Sequence, residues 1–148
     1  MRRWLVALGM VAFIAAAAWV YASSRSIQEA DIADARLVEL GRTVYATHCA
    51  SCHGDRMEGQ PNWQERRPDG RLPAPPHDAS GHTWHHPDRQ LFDITKRGVA
   101  GIVPGYQSDM PAYGDILSDR EIWAAIAHIK SRWPEAIRKR QPRDERGR

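Results

Sequence analysis

The chain has 148 residues, with 21 basic and 18 acidic side chains and a formal net charge of +3, which suits one small domain with extensions. The excess positive charge lies in residues 1–22 and 135–148, whereas residues 23–134 carry 13 basic and 15 acidic side chains. A mildly acidic body offers no basic face to phosphates, so we expect no nucleic-acid partner.

The N-terminal segment, residues 1–22, has Arg2 and Arg3 followed by nineteen uncharged residues, Trp4 to Ala22. A helix of this length spans about 28 Å, close to the hydrocarbon thickness of a bilayer. The run is longer than the apolar part of a usual signal peptide and has a tryptophan near each end, which favours a transmembrane anchor over a cleaved signal peptide. In both cases the arginines stay in the cytoplasm, and we expect the rest of the chain on the periplasmic side of the cell membrane.

Three segments with helical periodicity predict helices in the remainder of the chain. Apolar residues recur at spacings of three and four over 31–47. The segment 86–98 has a proline at its start and a glycine at its end. Ser118 and Glu121 form a capping box that predicts a helix over 118–132. No segment alternates apolar and polar residues with β-branched enrichment, so the predicted fold is all-α without a sheet.

Long loops rich in proline and glycine separate these helices, at 54–86 and 98–115. Such loops are uncommon inside a compact domain. Three helices with few large apolar side chains also bury a small core. We therefore expect a group other than protein at the centre, with the loops wrapped around it.

The chain has two cysteines, Cys49 and Cys52, in the stretch THCASCHG, and His53 follows the second at once. A redox dithiol normally follows a strand in a βαβ unit, and no strand is predicted here. A zinc site would need histidines from 82–86 to complete four ligands. A disulfide across two intervening residues would constrain the unfolded chain little.

The remaining interpretation, a c-type haem attachment sequence, is the one we favour. One helical turn brings the sulfurs of Cys49 and Cys52 to one edge of a porphyrin, and His53 then places an imidazole over the iron. Attachment after export also agrees with the N-terminal segment. The predicted cofactor is one covalent haem c.

Met110 is the predicted sixth ligand of the iron, with a histidine as the alternative. Met1 and Met10 lie in the N-terminal segment. Met57 follows His53 by four residues, a tether of at most about 14 Å, which is too short to pass from one face of the haem to the other. Met110 lies in the polar sequence DMPAYG before the last helix, a poor setting for a core methionine.

With these features the chain resembles the class I c-type cytochromes over about 31–134, and most closely the membrane-anchored monohaem bacterial members. The resemblance rests on CASCHG, DMPAYG, the helix EIWAAIAHIKSRWP, and Gly41 and Tyr45. It implies the class I cytochrome c fold, with three or more helices and long loops around a covalent haem. It also implies that His53 and Met110 bind the iron from opposite faces.

Gly41 and Tyr45 stand where the family has a glycine and an aromatic residue that let the first and last helices cross closely. The family also packs an aromatic residue from the last helix at this crossing, and its counterpart here is His128. One proline carbonyl within 73–76 is expected to accept the Nδ1 proton of His53.

The resemblance implies a one-electron carrier between membrane-associated redox proteins, not an enzyme. A six-coordinate iron has no open position, so we expect no small-molecule substrate. Two alternatives stay open: a haem subunit of a larger oxidoreductase or oxidase, and a cytochrome that responds to a gas or peroxide by displacing Met110.

The predicted organisation has four parts. They are a transmembrane anchor or signal peptide at 1–22, a linker at 23–30, the cytochrome domain at 31–134, and a basic, disordered tail at 135–148. A solvated extension is favoured for the tail over an electrostatic tether to lipid or an acidic partner. Polar-loop positions are favoured over a second metal site for the clustered histidines, His77, His82, His85 and His86. Trp63 and Trp84 are expected to line the haem pocket or to donate to its propionates.

Overall fold

The computed structural model describes residues 30–144, and within that range the chain forms helices and loops but no strand. The all-α prediction is confirmed for this range. The predicted anchor or signal peptide at 1–22 lies outside the described residues. Among the helices of residues 30–144, none has the length and apolar character needed to cross a membrane.

The described residues form five α-helices and one 3₁₀ turn. They are α1 (Ala35–His48), α2 (Ala50–His53), the 3₁₀ turn (Thr83–His85), α3 (Asp88–Arg97), α4 (Asp119–Ser131) and α5 (Glu135–Arg140). The predicted helices at 31–47, 86–98 and 118–132 correspond to α1, α3 and α4.

Side-chain caps set where α1 and α4 begin. Asp34 accepts hydrogen bonds from the backbone N–H groups of Arg36 at 2.9 Å and Leu37 at 3.1 Å, so α1 starts after 31–34 rather than at 31. At α4, the Ser118 hydroxyl accepts from the N–H of Glu121, whose carboxylate accepts from the N–H of Ser118 at 2.8 Å. The predicted capping box is confirmed.

The core lies where α1 crosses α4. A Cβ on Gly41 would stand 1.9 Å from the carbonyl oxygen of Ala124, so the two backbones can approach this closely only at a glycine. Tyr45 is buried one turn later, and its ring lies 5.8 Å from that of His128, centroid to centroid. The residues predicted for this crossing are confirmed there.

Helix α3 packs on α4 through an aromatic contact and an ion pair. The rings of Phe92 and Trp123 stack with centroids 4.4 Å apart. The ammonium of Lys130 lies 2.5 Å from the carboxylate of Asp88, and both side chains are largely buried. These contacts hold the start and the middle of α3 against the last long helix.

Part of the predicted disordered tail at 135–148 is helical, because Glu135–Arg140 form α5, and residues 145–148 lie outside the described residues. The Gln141 amide donates to the carboxylate of Asp88 at 2.7 Å and to the carbonyl of His86 at 3.0 Å. The guanidinium of Arg140 lies 4.8 Å from the centre of the Trp84 ring. Charge composition alone does not reveal these partners, which lie more than 50 residues earlier in the chain.

Gly41→Ala is expected to destabilise the fold, because the new methyl group would meet backbone rather than a flexible side chain. We expect the free energy of unfolding to fall by about 3 kcal/mol in a urea titration of the haem-loaded protein. Thr43→Ala, an exposed change on the same helix, should stay within about 0.5 kcal/mol of wild type. A Gly41→Ala protein as stable as Thr43→Ala would contradict the close crossing.

Glu121 should make stability depend on acid pH. Its hydrogen bonds with Ser118 lower the pKa of Glu121 below the ordinary 4.5. Because the folded pKa is the lower one, this contribution is present above pH 4.5 and is lost as the pH falls through the folded value. Glu121→Gln keeps a side chain that completes the capping box but removes the titration.

Urea unfolding at a series of acid pH values measures this effect. The stability of wild type should fall more steeply than that of Glu121→Gln, by a total of at most about 1 kcal/mol. Parallel curves would show that Glu121 does not contribute in this way.

Candidate functional site

Cys49, Cys52 and His53 lie on one tight helical turn directly after α1. The N–H of Cys49 donates to the carbonyl of Tyr45 at 2.9 Å, and the N–H of His53 donates to the carbonyl of Cys49 at 2.9 Å. The two cysteines form no disulfide with each other, and Cys49 is half-buried whereas Cys52 is exposed. A single turn thus presents two thiols and an imidazole.

The environment of Cys49 argues against a redox dithiol. Burial raises the pKa of the Cys49 thiol to about 11, and the neighbouring Cys52 adds to this effect. A catalytic thiol needs a lowered pKa, because the thiolate is the nucleophile. No strand precedes the pair within residues 30–144, so the βαβ setting of such a dithiol is also missing.

Metal sites built from clustered side chains are also unsupported. Within the described part of the chain, no group of three or more histidine, cysteine or acidic residues is placed to hold a metal ion. Instead, His82 stacks on Trp63 with centroids 5.4 Å apart, and His85 stacks on Trp84 at 3.7 Å. These histidines act as aromatic partners that order their loop.

His53 is buried, with 8% of its surface exposed, and a hydrogen bond at Nδ1 fixes its ring. Its Nδ1 lies 2.8 Å from the carbonyl oxygen of Pro75, which lies within the predicted range 73–76. A carbonyl can only accept, so Nδ1 carries the proton and Nε2 keeps its lone pair. Burial lowers the pKa of His53, opposed by the Pro75 bond, and the ring is therefore neutral near pH 7. A neutral imidazole is the form that binds a metal.

The position of the Pro75 carbonyl depends on two close approaches in the loop. A Cβ on Gly59 would stand 2.5 Å from the nitrogen of Pro76, and a Cβ on Gly81 would stand 2.0 Å from its carbonyl oxygen. The proline segment thus passes between two glycine backbones. This packing holds the carbonyl of Pro75 within hydrogen-bonding distance of His53.

His77 stacks directly on His53, with ring centroids 3.9 Å apart and planes 22° apart. Its own Nδ1 lies 2.8 Å from the hydroxyl of Thr83, and its carbonyl accepts from the indole N–H of Trp133 at 2.7 Å. Burial lowers the pKa of His77 well below its ordinary value. The sequence did not predict this position for His77, because nothing local in the sequence indicates which histidine of the cluster packs against His53.

The loop of residues 108–114, named the ligand loop after the predicted ligand Met110, is tied to the cysteine turn. The hydroxyl of Tyr113 donates to the carbonyl of His48 at 2.7 Å, and the two rings pack edge to face. The N–H of Tyr113 also donates to the carbonyl of Thr95 at the end of α3, at 3.0 Å. Nothing local in the sequence indicates this contact, because His48 and Tyr113 are 65 residues apart.

The two methionines of the described domain differ in setting. Met57 is a core residue with 3% of its surface exposed, and its carbonyl accepts from the N–H of His77 at 2.9 Å. Met110 is half-buried in the ligand loop, and its N–H donates to the hydroxyl of Ser108 at 3.1 Å. Met57 is therefore a residue of the core, whereas Met110 lies in a loop.

Asp109, directly before Met110, binds two arginines from the long loop. The guanidinium of Arg71 lies 2.6 Å from one carboxylate oxygen, and Arg67 donates to the other. These hydrogen bonds lower the pKa of Asp109, the bond from Arg67 most strongly. The sequence gave no sign of this contact, because the partners are separated by 38 and 42 residues of irregular loop.

Two buried donors suit a cofactor with acidic groups. The Nε of Arg71 and the Nε1 of Trp84 have no hydrogen-bond partner among the described residues. Buried polar atoms are rarely left unpaired, and a haem carries propionate carboxylates that could accept from them. Together with two thiols and a neutral imidazole, these residues fit a covalent haem.

Comparison with known proteins agrees with this chemistry. A family model described as "Cytochrome C oxidase, cbb3-type, subunit III" matches residues 36–129, which include the cysteine turn, the ligand loop and all of α1 except its first residue. No curated protein and no solved structure matches the chain. The chain therefore belongs to the cytochrome c oxidase, cbb3-type, subunit III family, and the matched residues form a c-type cytochrome domain.

Proposed function

We propose that this protein is a one-electron carrier whose single haem c is attached through Cys49 and Cys52 and bound by His53 and Met110. The observation that carries the proposal is the turn that presents both thiols together with His53, whose Nδ1 is hydrogen-bonded to the carbonyl of Pro75. Membership of a c-type cytochrome family supports a haem-containing electron carrier.

The bound haem would supply a reversible one-electron couple between ferric and ferrous iron. The soft thioether of Met110 favours the ferrous state and so raises the reduction potential relative to two histidines. The carbonyl of Pro75 fixes the His53 ring and makes it a more basic ligand. Because His53 and Met110 would both bind the iron, electrons would pass between protein partners without a bound substrate.

A second proposal concerns where the protein works. Arg2 and Arg3 followed by the uncharged residues Trp4 to Ala22 support a single-pass anchor with the haem domain on the periplasmic side. An anchored domain reaches membrane-associated redox partners by diffusing in the plane of the membrane.

A haem subunit of a larger oxidase is the second candidate function. The observation that favours it is the description of the matching family, which names subunit III of a cbb3-type oxidase. Such a subunit performs the same one-electron transfer but passes its electron within a complex. A gas-responsive or peroxide-responsive cytochrome is the third candidate, and it requires Met110 to leave the iron.

Met110→Ala tests the proposed ligand set. The oxidised wild-type protein should give a low-spin c-type spectrum with the weak far-red band of methionine bound to iron. That band should disappear in Met110→Ala and persist in Met57→Leu, because Met57 belongs to the core. A high-spin wild type, or rapid carbon monoxide binding to the reduced wild type, would contradict the carrier function and favour the gas-responsive one.

Solubilisation of membranes in mild detergent separates the first two functions. A free-standing anchored carrier should remain with washed membranes and then elute alone on size exclusion, carrying haem. Elution with further haem-containing subunits would favour the oxidase subunit instead. Release of the protein in a periplasmic extract without detergent would contradict the anchor.

A further inference from the structure

We propose that Asp109 is a positioning residue that holds Met110 at the iron, and that Arg67 and Arg71 hold Asp109. This role rests on the proposed function, in which Met110 is the axial ligand. Asp109 directly precedes Met110 in the chain. Fixing its carboxylate therefore restricts how far the neighbouring methionine can move.

The carboxylate of Asp109 is engaged at both oxygens. Arg71 reaches Oδ1 at 2.6 Å, and Arg67 donates to Oδ2. Hydrogen bonds between ionised partners are stronger than neutral ones and constrain direction as well as distance. For the ligand loop to swing away at this point, both ion pairs must break.

The two arginines lie on a turn that is closed by its own hydrogen bonds. The N–H of Arg67 donates to the carbonyl of Arg71 at 2.9 Å, and the N–H of Gly70 donates to the carbonyl of Arg67 at 2.8 Å. The guanidinium of Arg66 also reaches the carbonyl of Gly70 at 2.6 Å. A turn that is already ordered loses less entropy when its side chains bind Asp109.

The same stretch of loop also supports the other proposed ligand. Pro75 follows Arg71 by four residues, and its carbonyl accepts the Nδ1 proton of His53. One segment, residues 67–75, therefore holds the His53 ring through a backbone carbonyl and the ligand loop through two side chains. Loss of the ion pairs at Asp109 would release the ligand loop but would leave the bond between Pro75 and His53 intact.

Met110 is bracketed by anchors on both sides. On the far side, the Tyr113 hydroxyl binds the carbonyl of His48, and the N–H of Gly114 donates to the carbonyl of Lys96 at 2.9 Å. On the near side, Asp109 makes the ion pairs with the long loop. Removing the Asp109 charge leaves the far anchors intact and frees only the near side.

Imidazole titration of the oxidised, haem-loaded protein measures this restraint. Added imidazole binds the iron only when Met110 has left it, so its apparent Kd reports how often the loop opens. Each partly exposed ion pair contributes modestly, and Asp109→Asn should therefore tighten imidazole binding by about 3- to 10-fold. Asp109→Glu, which keeps the charge, should restore much of the wild-type value.

Two further variants decide whether the arginines act through Asp109. Arg67→Gln/Arg71→Gln should tighten imidazole binding to the same extent, and combining it with Asp109→Asn should add little. Asp115→Asn removes the same charge from an exposed position just beyond the loop and should leave the Kd unchanged. Urea unfolding of each protein separates loop opening from loss of the whole fold.

The outcomes distinguish this role from the proposed function. An unchanged Kd in Asp109→Asn, with the far-red methionine band present in wild type, would overturn the positioning role alone. A changed Kd in Arg67→Gln/Arg71→Gln with an unchanged Kd in Asp109→Asn would also overturn the positioning role. That result would indicate that the arginines bind the haem carboxylates instead. A wild type that lacks the band would overturn Met110 ligation and this role with it.

Discussion

The hydrogen bond between His53 and the carbonyl of Pro75 is the contact on which the rest of the site depends. It joins the cysteine turn, set by the end of α1, to a long loop that has little regular structure of its own. It fixes the tautomer of the ring and keeps Nε2 available. The glycines that flank the proline segment and the histidine stacked behind the ring maintain this arrangement.

The surrounding fold has few helices and long loops. The described core is built around the crossing of α1 and α4, to which α3 adds an aromatic contact. The long loop is ordered instead by specific contacts, such as the stacking of His82 on Trp63 and the ion pairs at Asp109. A covalently held porphyrin would supply the apolar contacts that these helices alone do not provide.

The sequence predicted those features whose signals are local. Helical periodicity and the capping box located α1 and α4, because each signal depends on residues a few positions apart, whereas the resemblance to the class I cytochromes placed their crossing at Gly41. The spacing of Cys49, Cys52 and His53 likewise identified the turn.

The features that the sequence did not predict depend on the path of the loops. The ion pairs of Asp109, the bond from Tyr113 to His48 and the stacking of His77 on His53 join positions 24 to 65 residues apart. The docking of α5 was missed for the same reason, since its basic composition suggested a solvated tail. Composition and periodicity carry no information about such partners.

We propose that this turn holds one haem by covalent bonds and so completes the domain. The mass spectrum of the intact, denatured protein tests it most directly. We expect a single species heavier than the polypeptide by one haem, because thioether bonds through Cys49 and Cys52 survive denaturation. A folded protein whose denatured mass is that of the bare polypeptide would contradict it.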